Sequence, residues 1–132
     1  MTESTFVNNV YSVCGKVDPA VGIGLAKVAG DETLGLYCAK LEPFKKVGAH
    51  YHKKGVETYQ IIEGAGEIHI GIPEDNGQVK WKMSVNLKKG DAFTVNAGEV
   101  HQLENKGDTE LLVVFGCSAS HLGEDRTLVE GK

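Results

Sequence analysis

Short runs in which apolar and polar residues alternate, each cut off by glycine, set the character of this chain. Residues 34–41 place Leu34, Leu36 and Cys38 on one side and Gly35, Tyr37 and Ala39 on the other, the period-two signature of a strand. Residues 58–63 run into Gly64-Ala65-Gly66 and then into 67–72, where Ile68, Ile70 and Ile72 share a face. That pair is predicted to be a hairpin. Pro73-Glu74-Asp75-Asn76-Gly77 is the strongest turn signal in the chain, because Asn-Gly favours positive backbone angles. Beyond it Val79, Trp81, Met83 and Val85 alternate with Lys80, Lys82 and Ser84, and further strands are predicted at 91–95, 101–105 and 110–117. Seventeen glycines and three prolines punctuate these runs, and the whole pattern predicts an all-β fold.

One domain is expected, since a chain of 132 residues buries about two-thirds of its unfolded surface in a single core. No repeat, low-complexity tract or linker divides it. Three segments are expected: an N-terminal arm with edge strands over 1–33, a barrel over 34–118 and a polar C-terminal tail over 119–132. Within the arm, Val7, Val10, Tyr11 and Val13 suit an edge strand added to a neighbouring copy. The tail either wraps over a partner or frays.

Composition narrows the function. Hydrophobic content of 41% and charge of 24% are ordinary for a globular protein. A formal charge of −4 with dispersed lysines lacks the basic stripe that nucleic acid requires. No apolar run is long enough to cross a bilayer, and no charged-then-apolar leader is present, so Met1-Thr2-Glu3-Ser4-Thr5 reads as a cytoplasmic terminus. Cys14, Cys38 and Cys117 are odd in number and form no CxxC; reduced, mostly buried and unjoined thiols are expected.

The chemistry lies in His50-x-His52, with Glu57 close behind and His101 far along the chain. On a strand His50 and His52 point the same way and can grip one ion. Glu57 adds a hard oxygen, and a distant strand can supply a fourth group. Three imidazoles and a carboxylate suit Mn, Fe, Co, Ni, Cu or Zn and leave open positions on an octahedral ion.

The residues around these four resemble the two motifs of the cupin superfamily. Gly48-Ala49-His50-Tyr51-His52-Lys53-Lys54-Gly55-Val56-Glu57, with Gly64 seven residues later, is similar to the first motif. Gly90-Asp91-Ala92-Phe93-Thr94-Val95-Asn96-Ala97-Gly98-Glu99-Val100-His101, with Asn105 four residues later, is similar to the second. With the strands between and after them, they cover roughly residues 34–118. Asn96 departs from the usual proline, but asparagine is itself a good turn residue. The resemblance implies a single-domain double-stranded β-helix, a jelly-roll barrel with one divalent transition metal (Mn, Fe, Zn or Ni) held by His50, His52, Glu57 and His101. It also implies a homodimer.

Parity extends the site. Glu57, Tyr59 and Ile61 share a face, as do His101, Leu103 and Asn105. Tyr59 is either a pocket hydroxyl able to donate to a bound oxyanion or a hydrogen-bonded core residue. Phe93, Val95, Val113 and Phe115 are expected to line the pocket, and Lys40 or Gln60 to reach its mouth. Lys53-Lys54 reads as a solvated loop. His69 falls on the face opposite Ile68 and is not expected to be a ligand, and His121 is expected to face solvent. Trp81 belongs to an extended edge hairpin or else helps to close the pocket. Two function classes stay open. One is a metal-dependent enzyme on a small oxygen-rich metabolite (sugar, sugar phosphate or organic acid) of isomerase or epimerase, dioxygenase or decarboxylase type. The other is a non-catalytic sensor or carrier of a small metabolite or metal.

Overall fold

The computed structural model describes residues 6–18, 20 and 22–132, so the reading of Met1–Thr5 lies outside the described residues. Two five-stranded sheets face each other. The first has the order β1-β2-β9-β4-β7, from β1 (Ile23–Gly30), β2 (Gly35–Leu41), β4 (Glu57–Glu63), β7 (Ala92–Val95) and β9 (Leu111–Cys117). The second has the order β10-β3-β8-β5-β6, from β3 (His50–Tyr51), β5 (Gly66–Pro73), β6 (Val79–Leu87), β8 (Val100–Glu104) and β10 (Thr127–Leu128). All pairings are antiparallel. This is the all-β fold the alternation predicts and the jelly roll the resemblance implies, with each anticipated strand within two residues of its place.

Leucine, isoleucine and aromatic side chains from the two inner faces close the core: Leu41, Ile61, Ile68, Leu103, Leu111 and Val113 are all nearly inaccessible. Tyr59 is stacked between Phe93 and Phe115, with centroids 5.0 and 5.1 Å away. On strand β2 the inner face carries Tyr37, Ala39 and Leu41. Cys38 points the other way and is still fully buried, because it packs with Cys14, Val28 and Leu112 beneath the N-terminal segment. All three cysteines are free and buried, as expected. Gly64 makes the β4–β5 turn at φ +88°, where a Cβ would lie 2.4 Å from the Glu110 carbonyl. Only glycine fits there.

Three local expectations need correction. Val10–Val13 is one turn of α-helix, capped by the Asn9 side chain accepting from the Tyr11 N–H, and not an edge strand. The edge is β1 instead, paired along β2 of its own sheet. Trp81 does not share a face with Met83 and Val85: Ile70 pairs with Met83 but Gly71 with Trp81, so Lys82 is bulged. The extra residue inverts the parity and lays Trp81 on the outer face beside His69, in the edge strand and away from the cavity. Last, the tail neither frays nor reaches outward. Its 3₁₀ turn Ala119–Leu122 and β10 return along β3, and this strap forms part of the site.

Candidate metal centre

Strands β3 and β8 place His50 directly opposite His101, with ring centroids 4.2 Å apart. His52 follows β3, and Glu57 opens β4 on the facing sheet. All four side chains are buried, with no more than 7% exposed. Each histidine is oriented by a backbone carbonyl, which can only accept a hydrogen bond. His50 Nδ1 donates to Gly48 O at 2.8 Å, His52 Nδ1 to Asp125 O at 2.6 Å and His101 Nδ1, more loosely, to Glu99 O at 3.5 Å. A proton fixed on Nδ1 leaves the Nε2 lone pair of each neutral ring available.

Those Nε2 atoms converge. His50, His52 and His101 offer ligand atoms within 4.8 Å of one another. His52 Nε2 lies 3.1 Å from Glu57 Oε2 and His101 Nε2 lies 3.3 Å from Oε1, yet both nitrogens are buried without a hydrogen-bond partner. Donors bound to one ion at about 2.0–2.1 Å sit about 3.0–3.4 Å from each other, so these spacings fit a shared metal. The residues present suit such an ion, and this cluster could hold one.

Electrostatics hold the carboxylate ionised and the His50 ring neutral. Burial alone would raise the Glu57 pKa, but His101 and His52 beside it outweigh that and hold it well below the usual carboxylate range. Burial, assisted by His101, pushes His50 down to about 3, so its ring is neutral. Tyr59 donates its hydroxyl to Glu57 Oε1 at 2.8 Å, and burial together with the Glu57 charge raises its pKa well above normal. Of the two roles expected for it, the structure places the hydroxyl on Glu57, holding the carboxylate while the ring lines the cavity.

His121 is the residue the sequence reading placed wrongly. Far from facing solvent, it is 2% exposed, sets Nδ1 2.9 Å from Glu57 Oε2 and Nε2 2.6 Å from Lys54 O, and stacks flat on His52 at 4.0 Å. It braces the cluster, and with His52 and Glu57 it forms a second buried group that could hold an ion. Asp125 completes the strap by accepting from the Lys53 and Lys54 N–H groups at 2.7 and 3.0 Å. The two lysine side chains themselves are exposed, as expected. No periodicity betrays a tail residue that acts by folding back. The one available signal was a histidine four residues from an aspartate in a segment without apolar alternation.

The second motif's turn survives its departure from proline for a definable reason. The Asn96 N–H, which proline would lack, donates to Glu99 Oε1 at 2.8 Å, and the Gly98 N–H reaches His52 O at 2.7 Å. Other expected residues fall elsewhere. Lys40 pairs with Glu110 at 3.8 Å and Gln60 donates to Gly90 O, so neither reaches the cavity mouth. Asn105 is fully buried but bonds Leu41 O, Thr109 O and the Gly107 N–H, serving the turn. His69 lies on the outer face, as expected, and commits both nitrogens to Ser84 and Glu104.

The cluster opens into a cavity of about 540 Å³, bounded by Val113 and Phe115 as anticipated and also by Ile23, Leu25, Val47 and Arg126. Among the described residues, no helix is long and apolar enough to cross a membrane.

Comparisons with known proteins agree with this fold. A family model described as "Cupin domain" matches residues 38–116. An oxalate-binding protein from Thermotoga maritima is 39% identical over 72 residues, covering 54% of this chain and 51% of that protein. The tetracenomycin polyketide synthase protein TcmJ of Streptomyces glaucescens is 30% identical over 79 residues, covering 60% of this chain and 46% of that protein. The chain thus spans about half the length of these curated relatives. Among solved structures, a conserved protein with a double-stranded β-helix domain from Klebsiella pneumoniae aligns with a TM-score of 0.72 at 25% identity, covering 98% of this chain and 100% of that one.

Proposed function

The chain belongs to the cupin family, and from that premise we propose that it is a metal-dependent enzyme acting on a small organic acid. One divalent transition metal, Mn, Fe, Zn or Ni, is held by His50, His52, Glu57 and His101. The observation that carries this proposal is the pair of buried, unpartnered Nε2 atoms on His52 and His101. Each such atom costs about 1–3 kcal/mol if left unpaired, and coordination removes that cost. When bound, the ion supplies a Lewis acid that polarises a carbonyl or carboxylate oxygen. The chain's own contribution is orientation: backbone carbonyls fix the three rings, while Tyr59 and His121 hold the two oxygens of Glu57.

The oxalate-binding relative supports an organic acid over a sugar. The same name supports a second reading, retention of the acid without turnover, as a sensor or carrier. Recovering a bound acid chemically unchanged after long incubation with loaded protein would favour that second reading. The primary test is elemental analysis of protein purified anaerobically and reconstituted with each metal in turn. About one equivalent per chain is expected, and none under any reconstitution would overturn the proposal.

Metal uptake is expected to weaken as the pH falls. Burial disfavours a charged His52, but Glu57 and the Asp125 carbonyl outweigh it and raise the pKa above its ordinary 6.5. Proton and metal compete for the same nitrogen. Affinity is therefore full above the raised His52 value and declines as pH drops through it, while His50, at about 3, adds no competition. Chelator competition between about pH 5.5 and 8 checks this; affinity independent of pH across that range would contradict it.

A further inference from the structure

A bare diacid leaves most of this cavity unused. Its volume of about 540 Å³ lies within the roughly 300–1,000 Å³ of clefts that enclose drug-sized ligands. Away from the metal cluster the wall is mostly hydrocarbon, with Ile23, Leu25, Val47, Phe115 and Leu122 on it and Asp18 and Lys46 beside them. Leu25 and Leu122 are 56% and 39% exposed, so apolar surface continues to the rim. A small, fully charged ligand would leave that surface wet, whereas an apolar body would cover it.

Two cations interrupt this wall: Lys46, whose ammonium donates to the Lys132 carbonyl, and Arg126. Arg126 enters on the strap: Leu128 pairs with His50 and Thr127 with Tyr51. Continuing that register puts Arg126 opposite His52, and residues opposite each other in an antiparallel pair point to the same face. Arg126 therefore shares the inner face with two of the proposed ligands, and it borders the cavity. Among the described residues no carboxylate pairs with it. Its charge reaches the cluster, contributing to the lowered pKa of His50. An unpaired guanidinium beside a metal position suits a carboxylate that shares its oxygens between the two.

We propose that this cavity takes an amphipathic monocarboxylate, with its carboxylate held by Arg126 beside the metal and a hydrocarbon or aromatic body along the wall formed by Ile23, Leu25, Val47 and Phe115. The inference rests on the metal centre proposed above and names the ligand class of that site.

The test is calorimetric titration of zinc-loaded protein of measured metal content with three probes. They are 2-oxo-4-phenylbutanoate, pyruvate (the same head without the body) and oxalate. The arylated acid is expected to bind tenfold or more tighter than either small acid. Arg126→Gln is expected to weaken it about tenfold at unchanged metal content, and Arg126→Lys by less, because the charge stays while the planar fork is lost. Leu25→Ala, at an exposed position on the wall, should weaken binding of the arylated acid more than that of pyruvate. One equivalent of metal with oxalate or pyruvate bound at least as tightly, or with Arg126→Gln unchanged, overturns the inference alone. No metal uptake by the unmodified protein overturns the metal centre, and this inference with it.

Discussion

Replacing His52 or His101 with alanine is expected to abolish stoichiometric metal and to bring the melting temperature down to that of the metal-free protein. Each of these rings presents a buried Nε2 with no hydrogen-bond partner among the described residues, about 3 Å from the carboxylate of Glu57. Removing either leaves three donors and a vacant corner. Metal held at a thousandfold excess over its dissociation constant stabilises the folded state by about 4 kcal/mol. For a domain of this size that corresponds to roughly 10–20 °C. A second effect appears in the metal-free variants. Glu57 is ionised in the fold chiefly because His101 and His52 offset its burial, and a depressed carboxylate pKa contributes stability above the unfolded value that is lost as pH falls through the folded one. Losing one histidine reduces that contribution at neutral pH. Metal content and melting curves of both variants, with and without added metal, check this. Unchanged metal in both would remove His52 and His101 from the site.

His121→Ala is expected to weaken metal binding about 10- to 100-fold, the usual cost of losing a group that orients a ligand. The wild-type ring sets its nitrogens against Glu57 and the Lys54 carbonyl and lies flat against His52, so it restrains two proposed ligands and the loop between them. Truncation leaves a buried carbonyl and a carboxylate oxygen each short of a partner, at a cost of about 1–3 kcal/mol apiece, and stability falls as well. The two effects separate if metal affinity is measured well below the variant's melting temperature. An affinity equal to wild type there, alongside a lowered melting temperature, would reduce His121 to a packing role.

What the sequence shows of this protein, it shows by period and spacing. Alternation placed the strands, because a half-buried sheet forces apolar side chains onto every second position. The His50-x-His52 pair, Glu57 and His101 could be read together because their motifs are local. The misses have a common physical origin in contacts between segments far apart in sequence. Trp81 changed face through a bulge of one residue, which alternation cannot register. Cys38 is buried on what the pattern treats as an outer face, because the N-terminal turn covers it. His121, Asp125 and Arg126 reach the site through a two-residue strand, Thr127–Leu128, too short to leave any periodic trace.

That strap divides the site into two inheritances. His50, His52, Glu57 and His101 belong to strands and turns whose register is fixed by the whole core, and they can hardly drift without unfolding the barrel. The strap meets the barrel through β10 and a few hydrogen bonds, so selection can rewrite its exposed positions cheaply. Related chains could thus keep the four proposed ligands while diverging in what they admit, and grafting residues 122–128 between relatives is expected to transfer a preference without disturbing those four positions.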